Sequence, residues 1–482
     1  MGPIPPPPPP PPDEQKEQVV SLLPFELSIP IMMQQFSTAS VTWYQWNGES
    51  DSHKQVQQEV AQYLQHRLTL MLEANPWLGG RIKTRNGAAA IVYSTATSKQ
   101  EADVILTVYK PGEIAVSMDT PYPKASALLQ QTTVPLTYFW VWGWNVPFFR
   151  VALVPDCQNP NRFAIVTSLA HCVGDGHTYY MLHNMLANNA PIVKLHIQRK
   201  HYMHDVMTNA MGGPAFMGVY SHPTIGLIFR LARSVLMGFL FGPRAVVKVC
   251  HVNKEWIQTQ KAMAMEQNNA TKDNNDNNDT PPPPFVSSND VLASQFMNTT
   301  QCDQALMTIN FRGKIKDCHE HDAGNYYNFN PLRPPDFSTP VMIRKVVDQL
   351  KLQGQRYPTT RPMTSFEHIF NQSWRTPIAI LTNLADFNKP LPLLSEAKQL
   401  IHMPLIPTHS WRMPPILFSI CYVFKPTKEC NSLAVLISAT PKAMKELEET
   451  GMMGPEILPS SSVDSAVDSN SSSSNPTKEK TV

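Results

Sequence analysis

Short apolar strands and amphipathic helices alternate along most of the chain, and one polar tract divides them into two comparable halves. The tract, QNNATKDNNDNNDTPPPP, runs from Gln267 to Pro284 and has too few apolar residues to contribute to a core. Alternating strands and helices on both sides of a linker predict layered α/β structure. We therefore predict an α/β fold of two lobes, residues 21–265 and 285–450, each a mixed sheet flanked by helices, joined by residues 266–284.

Both ends of the chain have a composition typical of disorder. Residues 1–20 carry a polyproline run and residues 451–482 are rich in serine, so both are predicted to be disordered. The start has neither a basic nor an apolar leader region, and we expect no signal peptide.

Local patterns predict individual elements. One helical face before Pro76 is apolar, and its members are Val56, Val60, Leu64, Leu68 and Leu72. Residues 147–155 and 162–170 read as apolar strands separated by turn residues. Thr440 and Pro441 have the types preferred at a helix cap and at the first helical position.

Charge and cysteine usage exclude several classes of protein. The formal net charge is +2 over 482 residues, without a basic stripe, so we expect no nucleic-acid partner. The seven cysteines are odd in number, scattered, and include no CxxC, which argues against a disulfide framework or a zinc module. A reducing location, the cytoplasm, fits this usage.

The most apolar segment, residues 223–249, leaves two interpretations open. Arg230, Arg233 and Arg244 interrupt it, so it lacks the roughly 20 clean apolar residues of a membrane span. It is predicted either to be a buried helix pair or to lie on a membrane as an interfacial helix.

The stretch TSLAHCVGDGHTYYMLHNML, from Thr167 to Leu186, runs a strand through a turn into a helix. Gly174 and Gly176 are predicted to ease the steric cost of a sharp backbone reversal there. His171 leaves the strand at this turn, and an imidazole that titrates near neutrality can take a proton from a nucleophile and return it. Asp175 fits either a turn or helix cap, or a partner of a distant arginine.

Other chemistries have weaker support. We expect no metal, because the available side chains match no established ligand spacing; they are His171, Asp175, His177, His183, His319 and His321. GxSxG, GxGxxG and P-loop motifs are absent. Cys172, next to His171 on a strand, points to the opposite face and is expected to pack into the core.

HCVGDG resembles the HxxxDG motif of the chloramphenicol acetyltransferase-like superfamily, which includes BAHD acyltransferases and condensation domains. Further blocks resemble the family in the same order over residues 21–450; they are YLQHRLTLMLEANPWLGGRI, PFFRVALVP, SSNDVLASQF, ALMTINFRGKI, AGNYYN and SWRTPIAILTNLADFNKP. The last block departs from the BAHD pattern, since Asn388 alone replaces G-W-G.

The resemblance implies two α/β lobes with a tunnel between them and His171 as general base at its middle. It implies that Asp175 is structural, with Arg312 as its salt-bridge partner. It matches Trp374 to a tryptophan that can steady the oxyanion through its indole N–H, and it gives Asp386 a structural role.

The resulting prediction is an O- or N-acyltransferase that uses an acyl-CoA as co-substrate and a small-molecule acceptor, without a permanent cofactor. The expected chain is a cytoplasmic monomer, with peripheral membrane contact through residues 223–249 left open. Two alternatives are a condensation-type enzyme fed by a carrier-protein thioester and a non-catalytic lipid- or partner-binding protein of the same fold.

Overall fold

The computed structural model describes residues 17–23, 26, 37–48, 53–95, 99–134, 146–213, 236, 245–272, 283–353, 378–406, 418–427 and 433–458. Within these ranges the strands form three sheets, and helices cover the two larger ones. This arrangement is the mixed α/β architecture that the alternation of strands and helices predicts.

The elements are numbered in chain order. The strands are β1 (Glu17–Ser21), β2 (Ser37–Trp46), β3 (Arg81–Arg85), β4 (Ala88–Ser94), β5 (Leu106–Val108), β6 (Phe149–Pro155), β7 (Arg162–Ala170), β8 (Val246–Val252), β9 (Ala305–Asn310), β10 (Tyr327–Leu332), β11 (Ile378–Asn383), β12 (Ala397–Pro404), β13 (Phe418–Phe424), β14 (Ala434–Ala439) and β15 (Met453–Glu456). The helices are α1 (His53–Ala74), α2 (Lys99–Ile105), α3 (Tyr122–Leu129), α4 (Gly176–Asn184), α5 (Met203–Ala210), α6 (Lys254–Lys272), α7 (Ser288–Thr299), α8 (Pro334–Phe337), α9 (Pro340–Gln353) and α10 (Pro441–Glu449). Two short 3-10 turns span Pro76–Gly79 and Gln130–Thr132.

The first large sheet has five strands in the order β12-β2-β7-β6-β5. Strand β7 lies at its centre and pairs antiparallel with β2 along its whole length and with β6 from Phe163 to Leu169. Helix α1 belongs to the same core, and its five predicted apolar residues are all buried. The predictions for this helix and for strands β6 and β7 are therefore confirmed.

The second large sheet has seven strands in the order β10-β9-β11-β13-β14-β8-β15. Strand β11 runs parallel to both β9 and β13, whereas the other pairs are antiparallel. Helices α7, α9 and α10 pack on it around a separate apolar core. Thr440 caps α10 by accepting the backbone N–H of Ala443, as its residue type predicts.

Each large sheet contains a strand from the other half of the sequence. Strand β8, which precedes the polar tract, pairs with β14 in the second sheet. Strand β12, which follows the tract, pairs with β2 in the first sheet. The lobe boundaries at residues 265 and 285 remain predictions.

Described helices and strands extend into the three segments that the sequence predicts to be disordered or a linker. Residues 17–21 form β1, which buries Val20 against β4, so the expectation of disorder through residue 20 is wrong at its end. Helix α6 continues to Lys272, inside the predicted linker. The C-terminal segment begins with β15, and Met452 and Leu458 on either side of it are buried. At both ends of the described chain, burial of these apolar side chains stabilises the ordered conformation.

The apolar segment 223–249 lies mostly outside the described residues. Its end, Val246–Val249, belongs to strand β8 and is therefore not helical, because it completes the hydrogen bonding of β14. Among the described helices, none is long and apolar enough to cross a bilayer.

A buried polar cluster fastens helix α4 to the first sheet. The Tyr179 hydroxyl and the His183 Nδ1 both contact the Thr167 hydroxyl, at 2.5 and 2.9 Å. Tyr180 bonds His402 of β12 at 3.1 Å. Burial lowers the pKa of His183 to about 3, so its ring is neutral at physiological pH. These bonds fix the axis of the helix that follows the motif turn.

Candidate active site

His171 stands at the end of β7, where the first sheet meets the loop between β9 and β10 of the second. The residue as a whole is partly exposed to solvent. Its Nδ1 atom is buried and has no hydrogen-bond partner within standard distance and angle limits among the described residues. The ring is tilted against that of Tyr327, with centroids 5.7 Å apart. Burial lowers the pKa of His171 below 6.5, while its own carbonyl and the Asp175 carboxylate act in the opposite direction. The imidazole is therefore neutral at pH 7 and can accept a proton.

Asp175 is buried and points away from solvent. One carboxylate oxygen caps α4 by accepting the Thr178 N–H at 2.9 Å. The other accepts from Arg312 Nη1 at 2.8 Å and from the Tyr326 N–H at 3.1 Å. Burial alone would raise the pKa of Asp175, but Arg312 and the Thr178 N–H hold it below 3.8. An ionised carboxylate with its acceptor sites filled suits a structural role.

Arg312 joins the motif turn to the second sheet. It is 2% exposed and follows β9 directly. Besides Asp175, it donates to the carbonyls of Asp322 and Gly324, both at 2.8 Å, and to the Thr178 hydroxyl at 3.1 Å. A planar guanidinium with several satisfied donors holds its partners in one relative orientation. The sequence-predicted pair Asp175 and Arg312 is thus in direct contact across the two sheets.

The two motif glycines allow close packing of neighbouring side chains, and neither adopts a left-handed backbone conformation. Neither Gly174 nor Gly176 has a positive φ, so the predicted easing of a steric cost lies in close side-chain packing and not in a left-handed backbone. A Cβ on Gly174 would lie 2.7 Å from Thr178 Cγ2. One on Gly176 would lie 3.2 Å from the end of the Leu384 side chain. Gly174 is therefore required by the tight fold of the turn onto α4.

Gly174→Ala is expected to lower stability by about 1–3 kcal/mol, the usual cost of overpacking. Thr178 cannot move away easily, because its hydroxyl bonds Gly324 and Arg312. Thermal unfolding of the variant should show a lower Tm. Gly176→Ala is the matched control, since a flexible leucine end can yield, and an equal loss in both variants would contradict this reading.

Sequence reasoning missed a second buried ion pair beneath the same turn. Arg199 Nε donates to Glu26 Oε2 at 3.0 Å, and both side chains are fully buried. Arg199 Nη2 also donates to the Val173 carbonyl inside the turn at 2.7 Å. Asn325 bonds both Glu26 and the His171 carbonyl. Glu26 and Arg199 lie 173 residues apart in the sequence, and His171 and Asn325 lie 154 apart. No local sequence pattern predicts pairing over such separations.

The other predicted residues lie elsewhere. Asp386 is 88% exposed on its side chain and lies 3.7 Å from Lys425. Its neighbour Phe387 packs edge-on against His177 of α4, with ring centroids 5.4 Å apart. Trp374 falls outside the described residues. Burial raises the pKa of the Cys172 thiol to about 12, so it is not a thiolate nucleophile.

None of the histidines considered as metal ligands joins a cluster of three or more potential ligands within the described ranges. His183 lies in the core beside Thr167, and His177 Nε2 contacts the Glu320 carbonyl at 2.8 Å.

Comparison with known proteins gives similarity in structure but not in sequence. No protein-family model matches the chain, and no curated protein matches it significantly. Its structure is similar to that of F. graminearum TRI101 complexed with ethyl coenzyme A, with a TM-score of 0.57 and 11% identity over 92% of this chain and 100% of that one. F. sporotrichioides TRI101 complexed with coenzyme A and T-2 gives a TM-score of 0.56 and 12% identity over 91% and 99%. Vinorine synthase gives a TM-score of 0.53 and 12% identity over 93% and 96%.

Matches over nearly the whole of both chains show a shared fold. The chain shares the mixed α/β fold of these proteins, with sheets flanked by helices as the sequence predicts.

Proposed function

We propose that the protein transfers an acyl group from a coenzyme A thioester to a hydroxyl or amine, with His171 as general base. The observation that carries the proposal is the neutral imidazole of a partly exposed residue, His171, at the junction of the two sheets, on a turn held by buried ion pairs. The resemblance of HCVGDG to HxxxDG and a fold shared with coenzyme A complexes support it.

The chemistry follows from the position of the free ring nitrogen. Nδ1 of His171 is buried, which leaves Nε2 to face an acceptor. Nε2 takes the proton of the acceptor O–H or N–H as that atom attacks the thioester carbonyl. The tetrahedral intermediate then collapses, the C–S bond breaks, and the departing sulfur takes the proton back from the imidazolium. Asp175 touches none of the reacting atoms in this scheme and acts through the shape of the turn.

Two further parts of the proposal come from the resemblance. A tunnel between the lobes would bring the thioester and the acceptor to His171 from opposite sides. Trp374 would donate its indole N–H to the oxyanion, a contribution of about 3–4 kcal/mol for a preorganised donor.

The acceptor is proposed to be a small molecule. F. graminearum TRI101 has been crystallised with coenzyme A and deoxynivalenol, and F. sporotrichioides TRI101 with coenzyme A and T-2. A site open to both substrates from between two lobes suits ligands of that size better than a polymer. We further propose a cytoplasmic monomer without a permanent cofactor.

The activity is tested by incubating the purified full chain with a mixture of alcohols and amines and with one donor at a time, either an acyl-CoA of graded length or a phosphopantetheine carrier thioester, and measuring free thiol. Acceptor-dependent thiol release supports the proposal. Release only from a phosphopantetheine carrier thioester would instead indicate a condensation-type enzyme. No release from any donor would overturn acyl transfer in favour of a binding role.

The pH dependence of kcat/KM should report His171. Because burial holds its pKa below 6.5, the rate should rise with pH through a midpoint below 6.5 and be level by neutrality. A pH profile measured with a fixed donor and acceptor tests this, and an acidic limb centred above pH 7 would contradict the environment described for His171.

A further inference from the structure

A pair of histidines lies in the interior where helix α4 packs on the first sheet. His183 of α4 and His402 of β12 are both fully buried, and their ring centroids are 5.1 Å apart. The proposed acyl transfer uses neither ring. The pair joins the helix that follows the motif turn to a strand from the other half of the sequence.

Hydroxyl groups hold both rings. His402 Nδ1 contacts the Thr42 hydroxyl of β2 at 2.9 Å, and its Nε2 contacts the Tyr180 hydroxyl at 3.1 Å. His183 Nδ1 contacts the Thr167 hydroxyl at 2.9 Å, whereas its Nε2 is buried without a hydrogen-bond partner among the described residues. Neutral rings suit these contacts, because a hydroxyl can donate to a bare ring nitrogen or accept from its N–H.

A charged ring does not suit the same surroundings. An imidazolium has an N–H on both nitrogens, and the hydrogen on Nε2 of His183 would have no acceptor there. A buried charge without a partner is also costly. Burial lowers the pKa of His183 to about 3 and that of His402 well below 6.5, and the neighbouring His183 lowers the His402 value further. Within the described part of the chain, no carboxylate acts on the pKa of either ring.

The described elements packed around the pair offer no negative charge to balance a proton. Their titratable groups include tyrosines whose pKa values burial raises, so these are neutral as well; they are Tyr44 of β2, Tyr63 of α1, Tyr122 of α3, Tyr179 and Tyr180 of α4, and Tyr422 of β13. The buried Arg67 of α1 has the wrong sign, and it donates to the Met185 carbonyl beyond the end of α4 at 3.0 Å. Asp175, at the start of α4, is already paired with Arg312.

Strand β12 depends on these side chains for its attachment. It lies at the edge of the first sheet and, among the described strands, pairs with β2 alone. The described strands before and after it in the chain, β11 and β13, belong to the second sheet. A strand with backbone pairing on one side only is easier to detach than a central one, so a charge placed at His402 acts where the sheet is weakest.

We propose that His183 and His402 form an acid-sensitive latch: the neutral pair closes the seam between α4, β2 and β12, and protonation of either ring releases β12 from the first sheet. The released chain takes up protons below the ordinary histidine pKa of 6.5, whereas the closed His183 does so only near its folded pKa of about 3. The latch therefore weakens progressively as the pH falls between these limits.

Denaturant titrations of the full chain between about pH 7.5 and 4.5 measure this dependence. Below the unfolded pKa, each histidine that stays neutral only in the folded state raises the unfolding constant by about ten-fold per pH unit. His183→Asn should therefore weaken the pH dependence by about ten-fold per pH unit, and its combination with His402→Gln by about 100-fold. Both replacements keep an amide beside the hydroxyl partners but cannot take up a proton.

His66→Asn is the matched control, because His66 is an exposed histidine on α1, and it should leave the pH dependence unchanged. The comparison between variants is needed because burial also lowers the pKa of His171 and of His177, which adds acid sensitivity of the same sign. A double variant that keeps the pH dependence of the unaltered protein would overturn the latch.

Hydrogen exchange followed by mass spectrometry tests the release of β12 without any variant. After correction for the chemical exchange rate, β12 peptides should exchange at least about ten-fold faster at pH 5.5 than at pH 7.5, and β14 peptides should change less. No acceleration in β12 would refute the proposal. Equal acceleration in β12 and β14 would contradict a local release, because the whole chain would then be unfolding together. Both readouts follow folding, so the outcome does not depend on whether the protein transfers acyl groups.

Discussion

His171→Ala is expected to lower kcat by about 10²–10⁴-fold, the range associated with a positioned general base. His171 is a partly exposed residue whose imidazole is neutral at pH 7 and held at the junction of the two sheets, so its removal deletes the proton acceptor without emptying the core. KM should change little, since the lost interaction acts in the transition state. Thiol release at saturating donor and acceptor measures the effect.

His201→Ala is the matched control, because His201 is an exposed histidine at the start of the α5 region. It should retain full activity. Both variants should keep the Tm of the unaltered protein to within a few degrees. Undiminished thiol release by His171→Ala would remove His171 from the mechanism.

Arg312→Met is expected to lower the free energy of unfolding by about 3–5 kcal/mol, the usual result of removing one partner of a buried pair. The loss is large because the Asp175 carboxylate stays buried without its cation, and the carbonyls of Asp322 and Gly324 lose their donor. Denaturant titration at neutral pH measures it. Lys445→Ala, which removes an exposed pair with Glu449, should cause little measurable change.

The difference in the free energy of unfolding between the unaltered protein and Arg312→Met should depend on pH in a definite direction. The folded pKa of Asp175 lies below 3.8, so its ion pair contributes fully above the unfolded pKa and is lost as the pH falls through the folded one. The difference in the free energy of unfolding should therefore become smaller at acidic pH. Adding Asp175→Asn to Arg312→Met should recover part of the loss, since no charge is then left unpaired. A double variant less stable than Arg312→Met would show that the pair is not the cause.

The sequence predicts well those features that depend on neighbours in the chain. The apolar face of α1, the strands β6 and β7, and the Thr440 cap follow from periods of 3.6 or 2 and from local hydrogen bonding. The partner of Asp175 came from the resemblance, since nothing near Arg312 in the sequence points to residue 175.

Features that depend on distant contacts were missed or misjudged. Glu26, Arg199 and Asn325 meet only because three distant parts of the chain converge, and each looks like an ordinary polar residue in its own sequence segment. The sequence predicts that Gly174 eases the steric cost of the turn, but only the structure shows that the crowding atoms belong to the Thr178 side chain. Strand β1 lies next to a polyproline run, and only its pairing with β4 explains its order.

Because β8 and β12 each belong to a sheet formed mainly by the other half of the sequence, their placement limits how the chain can fold during synthesis and whether it can be split into two fragments. A fragment cut at the polar tract would leave β2 and β14 with open backbone edges, because the strands that cover them would be on the other piece. Such halves should aggregate when produced singly and regain solubility when produced together. Neither lobe can be complete until nearly all of the chain has been synthesised, so folding must wait for contacts between its most distant parts.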